Sequence, residues 1–410
     1  MAVDKQCPHF IPLLTEELLD LLCGDRGLPP ADRAPLAELT RLIREVYHRQ
    51  HHGRLMELKA AYAPFDPDRD TVSVLPLSAA ERQRRLNDLL RDLRWVLERA
   101  HFRHLDRKDI EPSLETASDW GILMRVDFSA FEHVALFARG QAIQVRTLCN
   151  WKTLFQPRER EVAVFRRLVL ILKLRNNPRL GPAATTEHVY LKVFKDIPVA
   201  DVDMLLPGAR VRLKLLDRGK IGVGFLSGLG IMVARVFEKL NLVLQGIAWP
   251  DHNLLWGLAA GVAGYGYKSY FDYQNTRQAY HLNLTQSLYF QNLDSNAGVL
   301  TRLFDEAEEQ ETRTTLLGYF CLLRHGGEDG LSSDDLEAAM EMYLDRYAEV
   351  NLHCVRGDPV QKLLRLGLAN RQDDRYHAVP LTTAVAVLRD RRDEPTTPAA
   401  PPWAQRARSS

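Results

Sequence analysis

Cysteine is scarce and scattered. Cys7, Cys23, Cys149, Cys321 and Cys354 are the only five in 410 residues, with no C-x-x-C pair and an odd total. That pattern argues against a disulfide framework or a cysteine zinc site and suits a reducing compartment. Charge of one sign is lacking too. Lysine plus arginine come to 54 and aspartate plus glutamate to 53, a net charge of +1, so no global field draws the chain to nucleic acid or to a strongly acidic substrate. The charge-free apolar stretches 221–234 and 252–267 are each shorter than the about 17–25 residues that normally span hydrocarbon. The opening MAVDKQCPHFIPLLTEELLDLLCG carries an early acidic residue and no arginine-rich stretch, and Glu16, Glu17 and Asp20 interrupt its apolar positions. It reads as neither a secretory signal nor a clear mitochondrial presequence. The glycines around Lys220 do not match the phosphate-loop pattern G-x-x-x-x-G-K-[ST].

What is present is ordinary globular material, 46% apolar and 26% charged, in a chain long enough for two or three domains. Residues 1–120 read as an N-terminal helical region: Leu13, Leu14, Leu18 and Leu22 recur at helical spacing, the stretch from Leu36 to Tyr62 continues it, and Ala80 to Ala100 forms an arginine-rich amphipathic segment. From Ile122 the period drops to about 2. GILMRVDF, HVALFARG, QAIQVRTL, VFRRLVLILKL, HVYLKVF and ARVRLKLLD predict a mostly antiparallel β domain over 121–217, interrupted by a short helix near Val199 to Leu205.

Residues 218–270 differ in kind and read as a glycine-rich hydrophobic helical hairpin. Gly224 and Gly228, then Gly257 and Gly261, recur every four positions, a spacing that lets helices approach closely in lipid. Arg218 and Lys220 precede the hairpin and Lys268 follows it, while Trp249, Trp256, Tyr265 and Tyr267 sit near its ends. Arg235, Glu238 and Lys239 oppose insertion, since a charge at the bilayer centre costs at least ~2.5 kcal/mol, unless tilt or snorkelling carries them to the headgroups. Long polar-faced helices over 271–326, a small winged-helix-like domain over 327–391 and a disordered proline- and alanine-rich tail over 392–410 complete an α+β chain.

No constellation specifies a reaction, and no cofactor or metal is implied. His48, His51 and His52 lie at i, i+3 and i+4, but Arg44, Arg49 and Arg54 surround them, which predicts a solvated face rather than a metal site. His101 and His104 form a similarly weak pair. The segment from Asp305 to Arg313 interrupts an apolar helical stripe, and the helical period turns Ala307, Gln310, Glu311 and Thr314 to the buried side. A buried carboxylate there must be paired, protonated or metal-bound. We read Arg277, His281, Glu308, Glu311 and Arg313 as a polar cluster, with Lys268 a further possible partner. A packing network is favoured over a catalytic role or a solvated acidic face. Gln274, Arg277, His281, Thr285 and Tyr289 fall on one polar stripe, read as the lining of packed helices in preference to a ligand groove. Lys152, Arg158, Arg160, Arg166 and Arg167, with Trp151, form a basic patch suited to anionic lipid heads; nucleic acid is disfavoured as a partner.

Several phrases together carry a family resemblance: Trp151-Lys152-Thr153-Leu154-Phe155, FRRLVLILKL, VYLKVFKDIPVADVDMLLPG, LLDRGKIG, YGYKSYFDYQNTRQAYHLNLTQSLYFQNLDSNAGVLTRLFDEAEEQE and GYFCLLRH. Over about residues 80–390 the chain resembles the DUF3754 family of uncharacterised membrane proteins, which includes the animal transmembrane protein 143. The resemblance implies membrane association through the hairpin and supplies no reaction, substrate or cofactor. The resulting expectation is a membrane-anchored scaffold or adaptor at a bacterial inner membrane, its soluble parts in the cytoplasm, with membrane lipid and a protein as partners and no assigned oligomeric state. The alternatives are a membrane-associated enzyme or lipid- or ion-handling protein using the polar helices, and a soluble regulator with a winged-helix-like module.

Overall fold

The computed structural model describes residues 10–71, 77–106, 123–125, 128–149, 157–175, 186–206, 210–212, 267, 271, 289–348 and 358–393. The chain divides into two compact units. The first comprises Met1–Arg107, Phe128–Val199 and Asn292–Ser410 and the second Lys108–Asp127 and Ala200–Gln291.

The first unit is organised by two long helices, α2 (Arg33–Tyr62) and a helix at Ala297–His325. Between α1 (Thr15–Cys23), α3 (Ala79–Arg99) and these two, local chemistry sets the ends. Ser78 caps α3 by accepting from the Glu81 amide at 3.3 Å. The helix at Ala297–His325, α4, starts beyond Asn296, whose φ of 50° breaks the preceding strand. Asn296 is held there by its side chain, which accepts from the Leu191 amide at 3.2 Å and donates to Asp68 at 2.6 Å. Three further helices follow: α5 (Ser333–Ala348), α6 (Pro359–Leu366) and α7 (Leu381–Asp393). Asp358 caps α6, Pro359 opens it and Gly367, at φ 73°, closes it.

Both long helices pass through two separate apolar cores. In one, Leu39, Ile43 and Tyr47 of α2 and Leu316 and Phe320 of α4 pack with α1, α5, α6 and α7. In the other, Leu55, Leu58 and Tyr62 of α2 and Leu300, Leu303 and Phe304 of α4 pack with α3 and one face of a sheet. Between the cores lies a belt where both helices turn polar, residues 48–54 and 308–315. A hairpin of β8 (Ala369–Gln372) and β9 (Arg375–Ala378) stands between α6 and α7. It joins the first core, and the Tyr319 hydroxyl donates to the Val379 carbonyl at 2.7 Å.

The five-stranded sheet is antiparallel, in the order β1 (Arg103–His104), β3 (Phe131–Cys149), β4 (Pro157–Leu174), β5 (Val189–Pro198), β7 (Asn292–Ser295). Val169 and Ile171 face the helices while Leu168, Leu170 and Leu172 are buried on the opposite face, which is why β4 reads as a continuous apolar run. HVALFARG and QAIQVRTL are not two strands, as the sequence predicts, but one. The glycine between them, Gly140, takes φ 67° without shifting the register, and a β-carbon there would lie 2.9 Å from the Phe10 ring. The short helix expected at Val199–Leu205 is a 3₁₀ turn.

In the second unit, β2 (Leu123–Arg125) pairs antiparallel with β6 (Arg210–Arg212). Tyr267 and Phe271 are helical and exposed, their ring centroids 4.4 Å apart, and Tyr289 and Phe290 are also exposed. Among the described residues no helix is long and apolar enough to cross a membrane. The hairpin glycines Gly224, Gly228, Gly257 and Gly261 lie outside the described residues.

Candidate functional site

Among the described residues of the first unit, the polar belt of α4 gathers several charged side chains around one buried carboxylate. Glu311, 1% exposed, sits at its centre. The Arg99 guanidinium reaches its Oε1 at 2.5 Å from α3, His51 Nε2 lies 2.8 Å from its Oε2 from α2, and Arg365 of α6 stands 3.7 Å from Oε1. Burial alone would push the Glu311 carboxyl up. The His51 contact and the positive charges of Lys362, His51 and Arg99 outweigh it and bring the carboxyl from 4.5 to about 2. The site therefore holds a fixed carboxylate, too acidic for a general base at neutral pH.

Aromatic faces complete the surroundings. His51 lies edge-on to Trp95 and Phe304, and Trp95 is flanked by the Arg54 and Arg99 guanidiniums at 4.0 and 4.2 Å from its ring centroid. Lys362, buried one turn before Arg365, adds another cation. Burial lowers its ammonium from 10.5 to about 8 despite the opposing pull of Glu311, and Arg99 and Arg365 lower it further. Between about pH 8 and 10.5 the unfolded chain binds more protons at this group than the folded one, so its penalty on folding is full below that window and fades as pH rises through it. Lys362→Met should therefore stabilise the fold at pH 7 by on the order of 1 kcal/mol, with the gain shrinking towards pH 10.5. Denaturant unfolding across that range checks it, and equal or lower stability at pH 7 contradicts it.

The other carboxylates of α4 are also engaged. Glu306 binds Arg139 of β3 at 2.6 Å, and Arg167 lies 3.9 Å away. Glu309 accepts from Arg313 at 2.6 Å and from the Thr15 hydroxyl at 2.7 Å. The Gln310 amide makes a reciprocal pair with the backbone of Ile11, both bonds 3.0 Å, and Arg313 Nη1 donates to the same Ile11 carbonyl at 3.3 Å. The belt thus straps the segment before α1 onto α4. Glu308 faces outward and lies 3.1 Å from His48, in a surface cleft of about 570 Å³ lined also by Arg44, Glu45, Arg49, His52 and Arg392.

The expected cluster is brought together only in part. Glu308, Glu311 and Arg313 share the belt, but Arg313 pairs with Glu309, and Arg277, His281 and Lys268 lie outside the described residues. His51, expected on a solvated face with His48 and His52, is instead buried. It stands four residues after the buried Tyr47 and four before the buried Leu55, a relation visible in the helical period of α2. Among the described residues no three His, Cys, Asp or Glu side chains are placed to hold a metal. Of the basic patch, Arg166 and Arg167 lie on β4, Lys152 is outside the described residues, and Arg158 and Arg160 are placed by backbone alone on the distal part of β4. Sequence reasoning missed Arg99, Arg139, Lys362 and Arg365, which look like ordinary helix-surface or strand cations until the chain folds.

A family model described as a protein of unknown function, DUF3754, matches residues 160–298. The match runs from within β4 to the first residues of α4, narrower than the span of the motifs, and supports the family resemblance. No solved structure matches the chain.

Proposed function

We propose that the protein is a membrane-anchored scaffold or adaptor whose first unit is a rigid platform held at the cytoplasmic face of a bacterial inner membrane. The observation that carries this is the set of open aromatics in the second unit, Tyr267 at 65% exposure with Phe271 beside it, and Tyr289 and Phe290 at 77 and 70%. Large aromatic rings are costly to leave in water and favour the bilayer interface. Tyr267 ends the charge-free stretch 252–267, where a membrane hairpin would emerge. The glycine spacing at Gly224, Gly228, Gly257 and Gly261 adds support from sequence. The fixed pairing of Glu311 favours a scaffold over an enzyme at this position, because a carboxylate held by His51 and Arg99 stabilises packing and is not itself free to act as a base.

The test is membrane fractionation of the full-length protein with an alkaline carbonate wash, beside a variant carrying Tyr267→Ser, Phe271→Ser, Tyr289→Ser and Phe290→Ser. The expected result is a carbonate-resistant full-length protein and at least about a tenfold weaker partition of the variant into phospholipid vesicles. Recovery of the full-length protein in the high-speed supernatant before any wash overturns the reading.

A further inference from the structure

We propose that a second copy of this chain pairs with the edge of β3 that no described strand covers, joining two sheets through a two-fold axis near Gln144. The inference rests on the first unit alone and does not depend on the membrane reading. β3 and β4 pair in one register from His133↔Lys173 to Cys149↔Pro157, beyond a bulge at Phe131, but their neighbours are much shorter. β1 covers β3 only at Phe137 and Ala138, and β5 covers β4 only from Val164 to Lys173. Beyond those limits, among the described strands, β3 and β4 form a two-stranded ribbon with two open edges.

The two edges are built differently. On β4 the open stretch reads Pro157, Arg158, Glu159, Arg160, Glu161, a proline and four charges in succession. Those are the devices that keep an edge from recruiting another strand. On β3 the stretch from Gly140 to Val145 reads GQAIQV, with no charge and no proline. Ile143 and Val145 are 52 and 60% exposed, on the same face of the ribbon by strand alternation, across from Ala163 and Glu161. One edge is guarded, and the other, among the described strands, presents an unpaired backbone row beside an exposed apolar pair.

The partner follows from the pattern. A second β3 laid antiparallel about Gln144 places Ile143 opposite Val145 twice, on one face, and brings Gln141 opposite Thr147. Arg146, the single charge between Gly140 and Leu148, falls opposite Ala142, so no like charges meet. The pairing over 141–147 stops short of β1 at Phe137 and Ala138. A two-fold axis of this kind makes the contact self-complementary, and main-chain hydrogen bonds supply affinity as in other strand additions. A seven-residue strand contact lies at the low end of interface sizes, so the dimer is concentration-dependent.

Sedimentation velocity of the full-length protein, at up to about 100 μM, reads the association. The expected result is a monomer–dimer equilibrium weakened at least about tenfold by the double substitution Ile143→Arg and Val145→Arg, both at exposed positions that leave the cores untouched. Under mild oxidation Gln144→Cys should cross-link to itself across the axis, above the wild-type background from native cysteines, while Ala163→Cys on β4 should not. A strictly monomeric protein, a dimer indifferent to the double substitution, or no Gln144→Cys cross-link would each overturn the proposal. Lipid-dependent association that survives the double substitution would assign dimerisation to another surface and overturn it equally.

Discussion

Replacing Glu311 by glutamine should be among the most damaging single changes in the chain, destabilising the first unit by about 3–5 kcal/mol. The loss is not that of one hydrogen bond. Arg99, Lys362 and Arg365, from two different helices, converge on one carboxylate in the belt between the cores, and His51 closes it from α2. Without the negative charge those groups repel one another in a poorly solvated space, and Lys362, buried, has least access to water. The pH profile gives a second reading of the same substitution. The Glu311 carboxyl drops from 4.5 in the unfolded chain to about 2 in the fold, so its stabilisation is complete above about pH 4.5 and disappears as pH falls towards 2. The glutamine variant should show a lower denaturation midpoint at neutral pH and a flatter acid limb over that window. An unchanged midpoint with an unchanged acid limb contradicts the assignment.

Arg139→Ala should cost about 3 kcal/mol. The Arg139 side chain on β3 is only 9% exposed, and this burial lowers its guanidinium from the usual range while Glu306 opposes the shift. It binds Glu306 at 2.6 Å and the Ala100 carbonyl at 2.9 Å, between the rings of Phe10 and Phe102. Truncation strands the Glu306 carboxylate, with Arg167 at 3.9 Å as partial compensation, and opens a gap where sheet, α3 and α4 meet. The double variant Arg139→Ala with Glu306→Ala should recover part of the loss, because no buried charge is then left alone. Chemical denaturation of the two variants measures this, and additive losses would contradict a direct pair.

Much of the belt is legible in the helical period of α4. Val299, Leu300, Leu303 and Phe304, then Leu316, Leu317 and Phe320, define an apolar stripe, and continuing it across the acidic stretch turns Gln310 and Glu311 inward. The buried carboxylate was therefore foreseeable and its partners were not. Arg277 and His281 are near in sequence, whereas His51 and Arg99 are hundreds of residues away and meet Glu311 only because α2 and α3 pack against α4. Gly140 misled in the opposite sense: glycine between two alternating segments normally marks a turn, and here it lets Phe10 approach an unbroken strand.

By itself the sequence determined element type over most of the described chain, because periods of 3.6 and 2 record which side of each element must leave water. It also determined that Glu311 needs a partner, since a helix face is a local property. Tertiary structure alone decided which cations supply that partnership, how α2 and α4 thread two cores with a polar belt between them, and how far described neighbours cover the β3–β4 ribbon. Those outcomes depend on charge pairs and strand neighbours that short range leaves degenerate: an arginine reads the same on any exposed face until packing removes its water.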